Sequence, residues 1–270
     1  FSQFGGGAAV SASNSSGTWT ATCLIAAGAI DATNRNVSVT ATDNAGGVTT
    51  TADNANATVD NQAPTVTDAN ISISGASGAG GVFKIGDTVT ATWNNTAGGD
   101  NNADPISAVT VDFSQFGGGA AVAATNSAGT WTATYPIVAG TIDATNRNVS
   151  VTAIDNAGNA ATTADTTNAT ADNQAPTVTD ARIAISGASG TSGAFKAGDT
   201  VTATWNNTAG GDNNADTISA VTVDFSQFGG GAAVAASNSS NTWTATYVIA
   251  AGTIDATNRN VSVTATDNAG

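Results

Sequence analysis

Apolar and small residues alternate with Thr, Ser and Asp at a period of two through most of the chain. Val89, Ala91 and Trp93 alternate with Thr88, Thr90 and Thr92; Val109, Val111 and Phe113 follow; Trp131, Ala133, Tyr135 and Ile137 alternate with Thr130, Thr132 and Thr134. Successive side chains of a strand point to opposite faces, so this pattern predicts half-buried β-strands with their aromatic positions inward. Val149, Val151 and Ala153 supply a further strand, and Val66 with Ile71 and Ile73 predicts an opening strand that switches sheets. Two weaker segments, 120–124 and 160–171, bring the total to about seven strands in roughly 110 residues. No stretch keeps the spacing of an amphipathic helix.

The same pattern returns at a fixed interval. FSQFGGG begins at Phe1, Phe113 and Phe225, a spacing of 112 residues; TWTAT begins at Thr18, Thr130 and Thr242, DATNRNVSV at Asp31, Asp143 and Asp255, and DNQAP at Asp60 and Asp172. A solenoid unit spans roughly 20 to 50 residues, so a period this long predicts domains, each with its own core. Cutting before the two Pro-containing seams gives a partial copy at 1–61, a complete copy at 62–173 and a nearly complete copy at 174–270 that lacks its last strand. The expectation is an all-β chain of tandem immunoglobulin-like antiparallel β-sandwiches in an elongated array. The cut copies and the missing initiator Met lead us to expect a window on a longer protein.

The stretches APTVTDARIAISG, FKAGDTVTATW and NVSVTAIDNAGN resemble the immunoglobulin-like repeats of giant bacterial surface and adhesin proteins, and the resemblance covers all three copies. It implies a stalk of stacked sandwiches at the cell surface, stiffened by calcium at the junctions. The exit of the complete copy is also similar to a cadherin junction, whose Asp-Asn-Ala-Pro ending is matched by Asp172, Asn173, Ala175 and Pro176. Gln174 is inserted relative to that ending, and Ala171 stands where an acidic residue would precede it. The likeness therefore favours Asp172 as a ligand over Asn173.

Composition narrows the chemistry. The chain carries 20 acidic residues, all Asp, against six Lys and Arg, for a net charge of -14 with no His. Nucleic acid would be repelled by such a field, and cations are the natural electrostatic partners. Without His there is no Ser-His-Asp or Cys-His arrangement, and the expectation is a protein without enzymatic activity. The single cysteine, Cys23, has no partner, and Tyr135 and Tyr247 occupy its equivalent positions, so it reads as a substituted core aromatic. No apolar run is long enough to span a membrane. FGGGAA lacks the Lys-Ser/Thr of a phosphate loop and reads as a turn requiring positive φ.

Asp100, Asn102 and Asp104 occupy positions 1, 3 and 5 of a D-x-N-x-D run, repeated at Asp212, Asn214 and Asp216. Such spacing lets oxygen ligands converge on a hard cation, although the same residues also form plain Asx turns. In a sandwich of this topology the 98–104 and 155–159 loops lie at the end where the chain enters. The loop around Asp143 and the exit at Asp172 lie at the other. Stacking would set Asp143 and Asp172 of one copy against Asp212, Asp216 and Asp267 of the next, with Asp155 in the place of Asp267 one copy earlier. Each close pair of like charges costs roughly 1 to 4 kcal/mol between aqueous and protein-surface dielectrics, and bound Ca²⁺ would turn that repulsion into a clamp. Neighbouring repeats of the chain, and identical chains in a fibre, are the expected partners. Two other functions fit the sequence: a glycan- or protein-binding adhesin module, and a self-assembling filament subunit completed by strand donation.

Overall fold

The computed structural model describes all 270 residues, and the chain is all-β, with antiparallel sheets joined by short 3₁₀ turns. No helix is long and apolar enough to cross a membrane. By its internal contacts the chain divides into two units. The first comprises Phe1–Ser74, Thr90–Tyr135 and Asn148–Thr167; the second comprises Gly75–Val89, Pro136–Arg147 and Asn168–Gly270. Each unit holds one of the two Asp-Asn-Gln-Ala-Pro stretches intact.

The second unit shows why alternation gives the fold. One sheet orders Ile183–Ser186, Thr200–Asn206, Thr242–Val248 and Ser237–Ser239; another orders Val234–Ala235, Ile218–Asp224 and Ser262–Asp267. Within the first sheet Val201 lies opposite Tyr247, Ala203 opposite Ala245 and Trp205 opposite Trp243. Val201, Ala203 and Ala245 pack with Val223, Phe225 and Phe228, so the core lies between the two sheets, as in a β-sandwich. The intervening Thr202 and Thr204 turn away from it and stay half-exposed. Burying an aliphatic or aromatic side chain contributes about 1.5–3 kcal/mol, so the register is fixed wherever this face is covered.

Segments one period earlier form matching sheets. Thr125–Ser127, Thr130–Pro136, Thr88–Asn94 and Ile71–Ser74 make one; Val122–Ala123, Ile106–Asp112, Ser150–Asp155 and Ala160–Ala164 make the other. The alternation put Ala91, Trp93, Val109, Val111, Phe113, Trp131, Val151 and Ala153 inward, and all are buried. Val66 is buried, and its carbonyl accepts a hydrogen bond from Thr163 Oγ1 at 2.6 Å; Ile71–Ser74 pairs with the sheet containing Trp93. The opening segment thus reaches both sheets, as its sequence predicts.

Two local readings change. Segment 160–171 forms two strands, Ala160–Ala164 and Ala169–Asp172, that pair with different partners. The presumed loop around Asp143 is a strand, Asp143–Arg147, antiparallel to Ala169–Asp172. Its polar sequence carries no apolar alternation, and Asn146 breaks the ladder with a left-handed φ of 58°. Cys23 is half-buried, as are Tyr135 and Tyr247 at the equivalent positions. In the FSQFGGG segment, Ser114–Phe116 makes a 3₁₀ turn capped by Gly117 at φ 88°, a conformation that glycine adopts without steric cost.

The 1–61 segment repeats residues 113–173. Its strands form three two-stranded ladders, Ser13–Ser15 with Thr18–Thr20, Asp31–Arg35 with Ala57–Asp60, and Ser38–Thr42 with Val48–Ala52. Trp19 is 66% exposed, whereas its equivalents Trp131 and Trp243 are buried.

Candidate functional site

The Asp-rich loop after the second long strand splits into two kinds of carboxylate. Asp100 is a hub of donors. Trp93 Nε1 and Thr67 N donate to its Oδ2 at 2.6 and 2.9 Å, and Thr67 Oγ1 and Asn70 Nδ2 donate to its Oδ1 at 2.5 and 2.8 Å. Burial alone would raise its pKa, but these bonds outweigh burial and hold the carboxyl below the usual carboxylate range. Asp212 repeats the arrangement with Trp205 Nε1 at 2.6 Å and Thr179 N at 2.9 Å. Its pKa is likewise lowered, burial being offset by Thr179, Trp205 and the nearby Arg182 charge.

Asn102 and Asn214 are fasteners. Thr65 N donates to Asn102 Oδ1 at 2.7 Å while Asn102 Nδ2 donates to the Thr65 carbonyl at 2.9 Å; Asn214 holds Thr177 in the same two-point way at 2.6 and 2.9 Å. Asn95 Oδ1 and Asn207 Oδ1 orient these amides from behind, at 2.8 Å each. The residue after each seam proline is thus tied to the D-x-N-x-D loop. Of that run, then, positions 1 and 3 lock the chain's path and do not face a common centre.

The fifth position behaves otherwise. Carboxylate oxygens of Asp31, Asp60 and Asp104 lie within 4.8 Å of one another in the first unit, and those of Asp143, Asp172 and Asp216 do so in the second. Burial pushes the Asp104 carboxyl up, with the charges of Asp31, Asp60 and Asp155 adding to it. Asp216 is raised by burial and then by Asp143, Asp172 and Asp267. Asp172, only 6% exposed, is raised by burial and by Asp267 and Asp143, although Gln174 N donates to its Oδ1 at 3.0 Å. The chain's one ion pair, Lys196 with Asp199, lies elsewhere, so no Lys or Arg neutralises either triad.

Asp155 and Asp267 contribute field without joining the triads. Asp155 is 1% exposed, and its Oδ1 accepts from the amides of Ala157, Gly158 and Asn159 at 2.8–2.9 Å. Burial would raise its pKa, but Asn159 and those amides lower it on balance. Asp267 Oδ1 accepts from Ala269 N and Gly270 N at 2.9 and 3.0 Å. Asn173 is also committed elsewhere. Its Oδ1 accepts from Ile142 N at 2.7 Å and its Nδ2 donates to the Val138 carbonyl at 2.9 Å.

Of the sequence candidates, the structure brings together Asp143, Asp172 and Asp216, and it places Asp104 with Asp31 and Asp60. Asp100, Asp155, Asp212 and Asp267 lie outside both triads, and the side chains of Asn102 and Asn214 are bonded to Thr65 and Thr177. Asp31 and Asp60 belong to no D-x-N-x-D run, and the signal that locates them is the period, since they stand 112 residues before Asp143 and Asp172.

The donor set can be tested against a hard cation. Calcium takes oxygen ligands at about 2.3–2.6 Å, so two of its ligands are at most about 4.6–5.2 Å apart. Each triad meets that condition with three carboxylates and no protein cation in competition. Neither triad offers the nitrogen or sulfur ligands that softer metals favour. No protein-family model, curated protein or solved structure matches the chain.

Proposed function

We propose that the chain is a non-enzymatic structural segment of an extracellular stalk or fibre, built from tandem immunoglobulin-like sandwiches and stiffened by calcium at its seams. One observation carries this reading. Each triad takes two carboxylates from before a seam proline and one from after it, Asp31 and Asp60 with Asp104, and Asp143 and Asp172 with Asp216. Without a cation, three like charges crowd the point where one copy gives way to the next. With one, the same three groups become a bond between the two segments. The immunoglobulin-like assignment is supported by the 112-residue period and by a core lying between antiparallel sheets. The surface setting is supported by the resemblance of the repeats to those of giant adhesins. In this reading the outcome of binding is reach and stiffness, not turnover.

The test is the whole chain, melted and titrated with calcium against a chelator-treated control. A ligand at a hundredfold its Kd stabilises the folded form by about 2.7 kcal/mol, which should raise the melting midpoint by several degrees. Titration calorimetry should find two sites. Superimposable melts and no heat of binding would remove calcium from the proposal.

A further inference from the structure

Two carboxyl groups meet where the opening segment of the complete copy passes the end of strand Ala160–Ala164, and neither belongs to a triad. Asp165 follows that strand and is 1% exposed, with its N–H on the Val149 carbonyl at 2.9 Å. Thr167 N donates to its Oδ1 at 2.9 Å, but no donor reaches its Oδ2, although that oxygen is buried. Asp68 begins the short turn Asp68–Asn70 and brings its side chain within hydrogen-bonding reach of the Asp165 carboxyl. Asp68 itself is well supplied. Thr166 N donates to its Oδ1 at 2.7 Å and Thr166 Oγ1 to its Oδ2 at 2.6 Å.

A buried carboxylate oxygen without a donor is costly, and a second carboxylate beside it adds repulsion. The surrounding elements do not relieve it. Strand Ser150–Asp155 pairs Ser150 with Ala164, which leaves Asp155 at the far end of the ladder, held by its own loop amides. Asp112, opposite Ser150 on the next strand, accepts from Ser114 N at 2.7 Å. Arg147 ends the preceding strand, and the chain's one ion pair is Lys196 with Asp199, so no cation is paired with Asp68 or Asp165.

A proton supplies what is missing. Placed on Asp165 Oδ2, it removes one charge, gives the buried oxygen an O–H to donate to Asp68, and leaves Asp68 as the charged acceptor of both Thr166 bonds. The two groups are biased in that sense. Burial raises the Asp165 carboxyl, against the bonds from Thr167 and with the Asp68 charge adding to it, while the Thr166 hydroxyl and N–H lower Asp68.

We infer that Asp165 and Asp68 form a proton-operated clasp, in which one shared proton ties the opening segment to the edge of the sheet and its loss lets that tie open. The same segment has other fastenings. Thr163 Oγ1 holds the Val66 carbonyl, and Asn102 and Asp100 hold Thr65 and Thr67. Protonation thus governs one tie among several. Asp165 contributes stability below 3.8 that is lost as pH rises through its raised folded pKa; Asp68 contributes above 3.8 and loses it as pH falls through its lowered one. The clasp is closed between those two values and opens toward neutral pH.

The test uses the full chain in chelator, which separates its outcome from the calcium reading. Carboxyl-carbon NMR should show Asp165 titrating above 3.8 and Asp68 below it. Exchange of the Thr166 amide, corrected for its intrinsic rate, should quicken at least about tenfold between about pH 4 and about pH 8, the change that one pKa unit represents. In Asp165→Asn an amide N–H takes the place of the proton, so Thr166 should stay protected across that range. If this variant fails to fold, the titration of the parent decides. An Asp165 carboxyl that titrates no higher than Asp68, Thr166 protection independent of pH in the parent, or the same quickening in Asp165→Asn would overturn the inference. Calcium restoring Thr166 protection at neutral pH would also overturn it, by making the pair a cation site.

Discussion

Asp100 and Asp104 stand four residues apart in one loop, and the protein treats them oppositely. The first is surrounded by donors, anchors an indole N–H, and is held in its charged form. The second meets two other carboxylates and is pushed toward its neutral form. Asp212 and Asp216 repeat the contrast. A D-x-N-x-D spacing therefore does not define a ligand set here. Its first and third positions bind the chain to itself, and its fifth meets two other carboxylates.

The contrast breaks most severely at Asp212. Replacing it by Ala leaves the Trp205 indole N–H, in a side chain 1% exposed, without a partner and releases Thr179. Leaving such a buried donor unsatisfied costs about 1–3 kcal/mol, so Asp212→Ala should lower stability by about 2–3 kcal/mol in denaturant melts, equally with and without calcium. Dependence on calcium would show that Asp212 belongs to the ion site after all.

Asp216→Asn should act in the reverse direction and less strongly. Removing one of three crowded charges should stabilise the chelated protein by about 1 kcal/mol and reduce the calcium-induced rise in melting temperature. A chelated variant that melts below the parent would show that repulsion does not govern this seam.

The smallest effect is a pH profile in chelator. Asp172 and Asp216 have folded pKa values raised above 3.8, so their contribution is present below that value and is lost as pH rises through the folded pKa. Asp212 and Asp199 are lowered, so theirs is present above 3.8 and is lost as pH falls through the folded pKa. Stability should therefore peak at mildly acidic pH, near 4. In Asp216→Asn the decline above the peak should flatten while the decline below it remains. A profile rising steadily to neutral pH would contradict the assignment of raised carboxylates.

How much of this was legible in the sequence depends on the kind of residue. The inward positions were readable because Trp93, Val111 and Trp131 stand among threonines at a period of two, and burial acts on that alternation directly. Asp143–Arg147 was not, because its strand is held by backbone pairing and by the closure at Asn173, neither of which leaves an apolar trace. The approach of Asp143 and Asp172 to Asp216 was foreseen from the topology. That Asp212 would turn away was not, since its partner is an indole already assigned to the core, and only coordinates reveal where that indole's N–H points. Asp31 and Asp60 are legible from the period alone, one repeat before Asp143 and Asp172.

The strand Ala169–Asp172 also has a mechanical consequence. It runs straight into the seam at Pro176, with Asp143–Arg147 antiparallel on one side and Phe83 on the other. A pull at the proline along this strand loads its ladder bonds in shear, all together, whereas a hairpin opened from its free end yields them one by one. Release under tension is governed by the unfolding barrier and not by equilibrium stability. Asn173, closed over Gly140 at the end nearest the pull, is the first group to bear the load. Four residues and one amide thus act as a rivet, and their grip sets the force at which this part of the chain would begin to lengthen.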